Sequence, residues 1–148
     1  MKRKTAREIA VRLCFMLSEN PRDAAELLDE VFEPEYYETL GVEDSLFKEA
    51  PSEQLSYITE IIKGIGLHNA ELDEYVMRYA EGWSFERISR TALAIMKVAM
   101  YEILYMSDIP VGVSVNEAVE LAKQYEEEET VPFINGLLGS FIKGEVNS

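Results

Sequence analysis

Apolar residues recur at intervals of three and four along almost the whole of this 148-residue chain, and this spacing constrains the fold more than any other feature. It places the apolar side chains of each segment on one face of a helix. Val, Ile and Thr do not alternate with polar residues, and the turn signals lie too far apart for hairpins. The chain therefore predicts an all-α fold of six to seven helices. Its length fits one compact domain or two small subdomains that share a core.

Capping residues and prolines predict where the helices begin and end. Thr5 and Glu8 have the spacing of a capping box, and Asn20-Pro21 predicts the end of the first helix. Ser114 and Glu117 repeat the capping-box spacing before a later helix. The other helices are predicted over Arg22 to Phe32, Leu55 to Gly66, Asn69 to Ala80, Ser84 (as N-cap) to Asp108, and from Thr130 (as N-cap, with Pro132 in the first turn) to Ile142.

Two segments differ most in their apolar content. The helix from Ile88 to Leu104 has hydrophobic residues almost all the way round, which predicts a central helix packed on several sides. The segment from Glu35 to Pro51 is acidic and irregular, and it predicts no more than a helical turn at Tyr36 to Leu40.

The composition excludes several classes of protein and of site. No apolar run approaches the roughly 20 residues that span a bilayer, and no cleavage site follows the basic N-terminus, so we expect a cytoplasmic protein without a membrane segment. The single cysteine, Cys14, excludes an internal disulfide and a cysteine-based zinc site. His68 is the only histidine, and no glycine-rich phosphate loop is present. No motif predicts an enzyme, a cofactor or a metal site.

The charge is unevenly distributed along the chain, whose net charge is −14. Residues 1–12 carry five basic side chains and one acidic one, whereas the other 9 basic and 27 acidic residues give −18. Residues 26–53 hold ten acidic side chains against the single basic Lys48. Solubility explains such a surface most simply. Because the surface would also repel nucleic acid, any RNA or DNA site must be local.

The basic start of the chain opposes the electrostatics of a helix. A helix N-terminus carries about half a positive charge, so cations there are unfavourable by some 0.3–1 kcal/mol each. Phosphates would relieve this repulsion and would also accept hydrogen bonds from the first backbone N–H groups. The alternatives are a frayed, solvated tail or pairing with the protein's own acidic surface. The charge pattern alone leaves these interpretations open.

Five segments of the chain follow one another in a recognisable order and spacing: TAREIAVRLCF, GWSFERI, ALAIMKVAMYEILY, IPVGVSVNEAVELAK and PFINGLLG. Together they resemble the bacterial transcription antitermination factor family NusB. The resemblance runs from about Lys2 to Lys143, and it implies a single domain over residues 1–148 made of two small helical subdomains. It also implies a role without catalysis. With the small-subunit ribosomal protein NusE, the family binds boxA RNA of nascent ribosomal RNA leaders within the RNA polymerase antitermination complex.

The resemblance also implies particular site residues. Family RNA binding uses the basic N-terminal segment and the region leading into the final helix. Phe15 matches an aromatic position on the side that faces NusE. The RNA-binding residues implied by the resemblance are Lys2, Arg3, Lys4, Arg7, Lys123, Phe133 and Asn135.

Several of these residues have a structural alternative. Phe133 and Phe15 could pack in the core, and Asn135-Gly136 could mark a close approach between helices. Lys123 could simply balance Glu120.

Departures from the family pattern predict weak RNA binding by the protein alone. Thr5 stands where many relatives have arginine, Pro132 replaces a common lysine, and Glu126 to Glu129 make their loop acidic. We expect NusE to restore the binding of boxA RNA. The alternative is a helical protein-interaction adaptor with little RNA binding of its own. The sequence leaves open the preferred RNA sequence and affinity, the choice between monomer and homodimer, and the choice between antitermination and ribosome assembly.

Overall fold

The structure is a computed structural model that describes residues 1–147, and within them it contains helices and no strand. This confirms the predicted all-α class and the number of helices. Short 3₁₀ turns lie at Ser45–Phe47, Ser52–Gln54 and Phe85–Arg87, and a π-helical turn at Ile142–Val146. The seven α-helices are α1 Arg3–Glu19, α2 Ala24–Val31, α3 Pro34–Glu43, α4 Leu55–Tyr79, α5 Arg90–Tyr105, α6 Val111–Tyr125 and α7 Thr130–Phe141.

The chain divides into two compact units, one of residues 1–67 and one that begins at His68. The division falls within α4, where His68 has the non-helical backbone angles φ −103° and ψ 17°. The two helices predicted over residues 55–80 are thus separated at this residue, near the expected junction. Within the second unit the His68 ring stacks on Tyr105, with 4.5 Å between the ring centroids. The imidazole therefore has an aromatic packing role at the start of this unit.

The first unit buries one apolar stripe from each of three helices. In α1 and α4 these stripes have the predicted spacing of three and four residues, which keeps polar residues on the opposite face. α1 packs against α2 and against the 3₁₀ turn Ser45–Phe47. The apolar residues with no exposed surface are Ala6, Ile9, Ala10, Leu13, Leu27, Val31, Ile58, Ile61 and Ile62.

The second unit is built around α5, as its apolar content predicted. Eleven of its 16 residues are buried, so neighbours surround the helix on several sides. Two of the buried residues are charged, and both are satisfied within the unit. Lys97 donates to Asn69 Oδ1 at 2.7 Å and lies 2.5 Å from Asp73 Oδ1. Glu102, which has no exposed surface, accepts a hydrogen bond from Ser114 Oγ at 2.7 Å. A buried charge requires such partners because desolvation is costly.

Two predicted helix starts are wrong by several residues. α1 begins at Arg3 rather than near Thr5, and its N-cap, Lys2, forms no side-chain capping hydrogen bond. α5 is capped by Ser89, whose Oγ accepts from Ala92 N at 3.0 Å. The predicted cap Ser84 instead precedes the 3₁₀ turn, which extended backbone at Ile88 separates from α5.

The starts of α6 and α7 also differ from the predicted capping pattern. α6 begins after Pro110, whose fixed φ of −59° suits the entry to a helix. Ser114 therefore lies inside α6, where its hydroxyl forms the tertiary hydrogen bond to Glu102 rather than a capping box. Thr130 is the first residue of α7 rather than its cap, and Pro132 lies in the first turn as predicted.

The acidic segment predicted to be irregular contains the ten-residue helix α3. No residue of α3 is buried, so it has no apolar stripe for a sequence pattern to detect. Local and tertiary contacts both hold it. The Glu33 side chain caps it by accepting from Glu35 N at 3.2 Å and Tyr36 N at 2.9 Å, and the Tyr37 ring packs between those of Phe32 and Phe47. Pro34 occupies the first turn, and the acidic Glu35 complements the helix dipole there.

No helix within residues 1–147 has the length and apolar content needed to cross a membrane. The same residues contain no cluster of three or more His, Cys, Asp or Glu side chains placed to hold a metal ion.

Candidate nucleic-acid interface

The first turn of α1 concentrates positive charge at a helix N-terminus. Lys2 is the N-cap, Arg3 and Lys4 follow it, and no acidic residue lies in this turn. Both lysines are exposed, and Arg3 is half-buried. Because no side chain caps the helix, the first backbone N–H groups and the cations share one surface. This surface, made of Lys2, Arg3 and Lys4, is called the cationic turn below.

Neutral groups orient the Arg3 side chain within the first unit. Arg3 Nε donates to Gln54 Oε1 at 2.7 Å. The guanidinium carbon lies 4.1 Å from the centroid of the Tyr57 ring, within the range of a cation–π interaction. An amide and an aromatic ring hold the guanidinium in place without cancelling its charge. Arg3 is thus oriented by its neighbours while its positive charge is retained.

Arg7 lies deeper than the cationic turn. Only 5% of its surface is exposed, and its guanidinium carbon is 5.9 Å from the Tyr57 centroid. The sequence assigned Arg3 and Arg7 the same role, but the structure gives them different access to solvent. A direct phosphate contact by Arg7 stays a prediction, and its burial supports packing under the cationic turn.

The acidic surface of the first unit pairs with neighbours of the cationic turn. The amino group of Met1 lies 3.6 Å from Glu49 Oε2, and Arg12 Nη1 lies 2.7 Å from Asp44 Oδ2. Hydrogen bonds from the Leu46 backbone N–H and from Arg12 lower the pKa of Asp44, which keeps this carboxylate ionised. Within residues 1–147, Lys2 and Arg3 form no ion pair with a carboxylate. The alternative of full neutralisation by the protein's own acids does not describe these two residues.

Phe15 lies on the same helix, two turns beyond Arg7. It is half-buried, so the side chain is neither a core residue nor fully exposed. This leaves part of the ring accessible to a protein partner, and its predicted role towards NusE stays a prediction.

In the second unit, Phe133 already has an aromatic partner. Its ring lies 4.5 Å from that of Trp83, measured between centroids, with 30° between the planes. Both residues line a pocket of about 420 Å³ whose rim includes the three acidic residues Glu126, Glu127 and Glu129 and the basic Arg87. Phe133 is half-buried, although Leu137, Leu138 and Phe141 of its predicted stripe are buried. The geometry shows packing against Trp83 beside an acidic rim.

The two polar candidates of the second unit are exposed. Lys123 Nζ lies 3.4 Å from Glu120 Oε1, so the alternative that this lysine balances a neighbouring acid is observed. Asn135 and Gly136 both face solvent, and a Cβ at Gly136 would meet no atom within 4 Å. The alternative of a close helix approach at Asn135-Gly136 is therefore wrong in the described structure.

A model of the NusB family matches residues 4–143 of this chain. The chain belongs to the NusB family. NusB proteins are transcription antitermination factors, which confirms the resemblance given by the five sequence segments.

Curated relatives support the assignment over nearly the full length. The transcription antitermination protein NusB of Clostridium botulinum (strain Hall) is 39% identical over 151 residues, covering 96% of this chain and all of that protein. NusB of Acetivibrio thermocellus is 36% identical over 148 residues, covering 100% of this chain and 93% of the relative. NusB of Carboxydothermus hydrogenoformans is 37% identical over 139 residues, covering 94% and 91%.

The fold matches a solved NusB structure. That of T. maritima NusB superposes with a TM-score of 0.77 at 27% sequence identity, and the match covers 97% of this chain and 92% of the other. The similarity confirms the helical architecture, with its two small helical subdomains, that the sequence predicted.

In this NusB chain Arg3 and Arg7 lie beside residues that the sequence analysis missed as site residues: Tyr57 is beside both, and Gln54 is beside Arg3. Tyr57 lies on the apolar face of α4, so its spacing indicates only packing. Gln54 ends a 3₁₀ turn and belongs to no motif. Trp83 was likewise not linked to Phe133, because the two are 50 positions apart in the sequence. Only the folded chain places these partners beside the predicted residues.

Proposed function

We propose that this NusB chain is an RNA-binding antitermination factor that binds boxA-type leader RNA together with NusE, within the RNA polymerase antitermination complex. The observation that carries the proposal is the cationic turn. Lys2 and Arg3 have no carboxylate partner within residues 1–147, and their helix end has no side-chain cap. Family membership supports the proposal, because the resemblance implies RNA binding by the N-terminal segment.

The positive charge of Arg3 is held in place but not neutralised. Arg3 is oriented by Gln54 and Tyr57, so little of its side-chain entropy remains to be lost on binding a phosphate. The uncapped backbone N–H groups of α1 supply further donors for the same anion. Single-stranded RNA offers phosphates for such cations and bases that stack on aromatic or guanidinium groups.

The protein's net charge of −14 opposes the approach of RNA, whereas the cationic turn attracts it locally. We therefore expect weak binding of boxA RNA by the protein alone and much tighter binding in the presence of NusE. The test is titration of labelled boxA RNA with this protein, with and without NusE, at several salt concentrations. NusE should raise the affinity at least tenfold, and the affinity should fall as salt rises. An unchanged affinity on adding NusE would contradict the proposal.

Phe15 is the proposed contact to NusE. A half-buried phenyl ring on α1 offers apolar surface to a partner at little cost in ordering. Phe15→Ala should weaken the binding of NusE measured by calorimetry without RNA, while the RNA affinity of the protein alone stays within about twofold. Unchanged NusE affinity would remove Phe15 from that interface.

The acidic rim of the Phe133 pocket favours a second candidate function, that of a protein-interaction adaptor with little RNA binding. Glu126, Glu127 and Glu129 lie on that rim. The same titration distinguishes the two functions. An adaptor would bind NusE, but neither it nor the complex with NusE would bind boxA RNA more tightly than NusE alone does.

A further inference from the structure

The acidic segment that the proposed function does not use forms an apolar groove in the first unit. α3 makes one wall, and residues 47–50 make the other. Its volume is about 470 Å³. Val42 lies on its edge and is 84% exposed, the highest value among the exposed large apolar side chains of residues 1–147. The lining residues are Pro34, Tyr37, Glu38, Gly41, Val42, Phe47, Lys48 and Ala50.

Close contacts between the two walls at the floor of the groove keep it open in the unbound protein. A Cβ on Gly41 would lie 2.8 Å from the Phe47 carbonyl oxygen, so the two walls approach as closely as glycine allows. Tyr37 OH donates to the Glu49 carbonyl oxygen at 2.7 Å. The Tyr37 ring lies 5.4 Å from that of Phe32 and 5.9 Å from that of Phe47. Because these contacts fix both walls, the groove is preformed.

The charge around the groove selects the kind of partner. Glu38 lines it, and Glu35 precedes Val42 by two helical turns on α3. Glu49 lies between two lining residues, and its Oε2 is 3.6 Å from the Met1 amino group. All three are exposed, and Lys48 is the one cation in the lining. Carboxylates beside an exposed valine repel nucleic acid and complement a segment that carries both basic and apolar side chains.

We propose that this groove docks a basic segment of a protein partner, with one apolar side chain of the segment covering Val42 and basic side chains beside Glu35 and Glu38. The proposal concerns residues other than those of the cationic turn and does not depend on RNA binding. An apolar anchor supplies most of the affinity in such an arrangement, and the surrounding charges set the preference for a basic sequence.

The experiment uses the full chain labelled with ¹⁵N and a synthetic 12-residue peptide of leucine and lysine. Controls are the same peptide with glutamate replacing lysine and with serine replacing leucine. We expect the leucine–lysine peptide to shift the amide resonances of Gly41, Val42 and Ala50, and each control peptide to bind at least about tenfold more weakly. Equal binding of the glutamate peptide, or shifts confined to other parts of the chain, would overturn the proposal.

Two variants test the residues directly. Val42→Ser should weaken peptide binding about tenfold, since it removes the apolar surface that the leucine side chain of the peptide would cover. The change disturbs no buried residue. Glu38→Gln should weaken it about two- to fivefold, as expected for an exposed ion pair. The matched control is Val113→Ser, which changes a valine that is 42% exposed on α6. The proposal fails if Val42→Ser binds the peptide as tightly as the control does.

A second copy of this chain is the other occupant to consider. Self-association is measured by sedimentation of the protein alone over a range of concentrations. The measurement is made on the wild type and on Val42→Lys. Self-association that Val42→Lys abolishes would assign the groove to a homodimer and would overturn the proposal of a basic partner. Unchanged sedimentation of the two proteins supports it.

Discussion

The cationic turn of α1 and the start of α7 were both predicted to contact RNA, but the structure places their residues in different surroundings. In the first unit, Arg3 is held by the neutral Gln54 and Tyr57 and keeps its charge for a partner. In the second, Phe133 packs on Trp83, and Lys123 lies beside Glu120. The comparison shows that residue type sets what a side chain can bind, whereas its existing neighbours set how much of that capacity is left. We therefore expect the cationic turn to contribute the larger share of RNA affinity.

The largest effect is expected from removing the cationic turn. A triple variant with Lys2→Ala, Arg3→Ala and Lys4→Ala should bind boxA RNA about 10- to 100-fold more weakly. The slope of log K against log salt concentration should become shallower by about two. The measurement is RNA titration with NusE present, at 50 to 200 mM salt. Arg7 is left in place because it is buried and its loss would perturb folding.

A control variant separates this local effect from the change in net charge. Arg22→Ala, Lys63→Ala and Lys143→Ala combined remove the same charge elsewhere on the protein. We expect less than about a threefold loss of affinity from this control, because screened charges far from the RNA contribute little. Equal losses in the two triple variants would contradict a local site.

The next effect tests whether the neutral surroundings of Arg3 matter. Gln54→Glu places a carboxylate where the amide oxygen accepts from Arg3 Nε at 2.7 Å, and it should neutralise the guanidinium. We expect RNA affinity to fall about three- to tenfold, and the slope of log K against log salt concentration to become shallower by roughly one. Ser56→Glu is the control, since it adds the same charge two residues away. If both variants lower RNA affinity equally, the orientation of Arg3 is irrelevant.

A smaller effect on RNA is expected at Phe133. Phe133→Ala removes the ring contact with Trp83 and should lower the free energy of unfolding by about 1–3 kcal/mol, whereas RNA affinity should change by no more than about threefold. Chemical denaturation and RNA titration measure the two quantities separately. Phe133→Leu keeps much of the apolar volume and should recover part of the stability. A tenfold loss of RNA affinity in a fully stable Phe133→Leu variant would show that the ring stacks on a base.

The smallest effect is expected at Lys123. This residue is exposed and lies 3.4 Å from Glu120 Oε1, so the carboxylate already offsets part of its charge. Lys123→Ala should weaken RNA binding by less than about twofold. The double variant Glu120→Gln, Lys123→Ala is the comparison, and it should match wild type more closely than the single variant does. A loss as large as that of Gln54→Glu would make the two regions equivalent.

The sequence predicted the helices that have an apolar stripe and missed the one that does not. α5 was identified as central from its apolar content, and 11 of its residues are buried. α3 was taken for an irregular segment because it buries no apolar stripe: the Glu33 cap and the contacts of the half-buried Tyr37 with Phe32 and Phe47 hold it. The capping box at Ser114 failed for the opposite reason. Its hydroxyl bonds to the buried Glu102, a residue that no local pattern connects to it.

The sequence by itself determined the all-α class, the central helix, the family and the gathering of positive charge at the N-terminus. The family depends on the resemblance of five sequence segments, and the other three depend on composition or on periodicity along the chain. Only the tertiary structure decided which predicted contacts remain accessible: Arg3 rests on Tyr57 with its charge intact, Arg7 is buried, and Phe133 is packed on Trp83. The physical reason is that local patterns determine which segments form helices, whereas the solvation and pairing of a side chain depend on residues distant in sequence. Only folding brings those residues together.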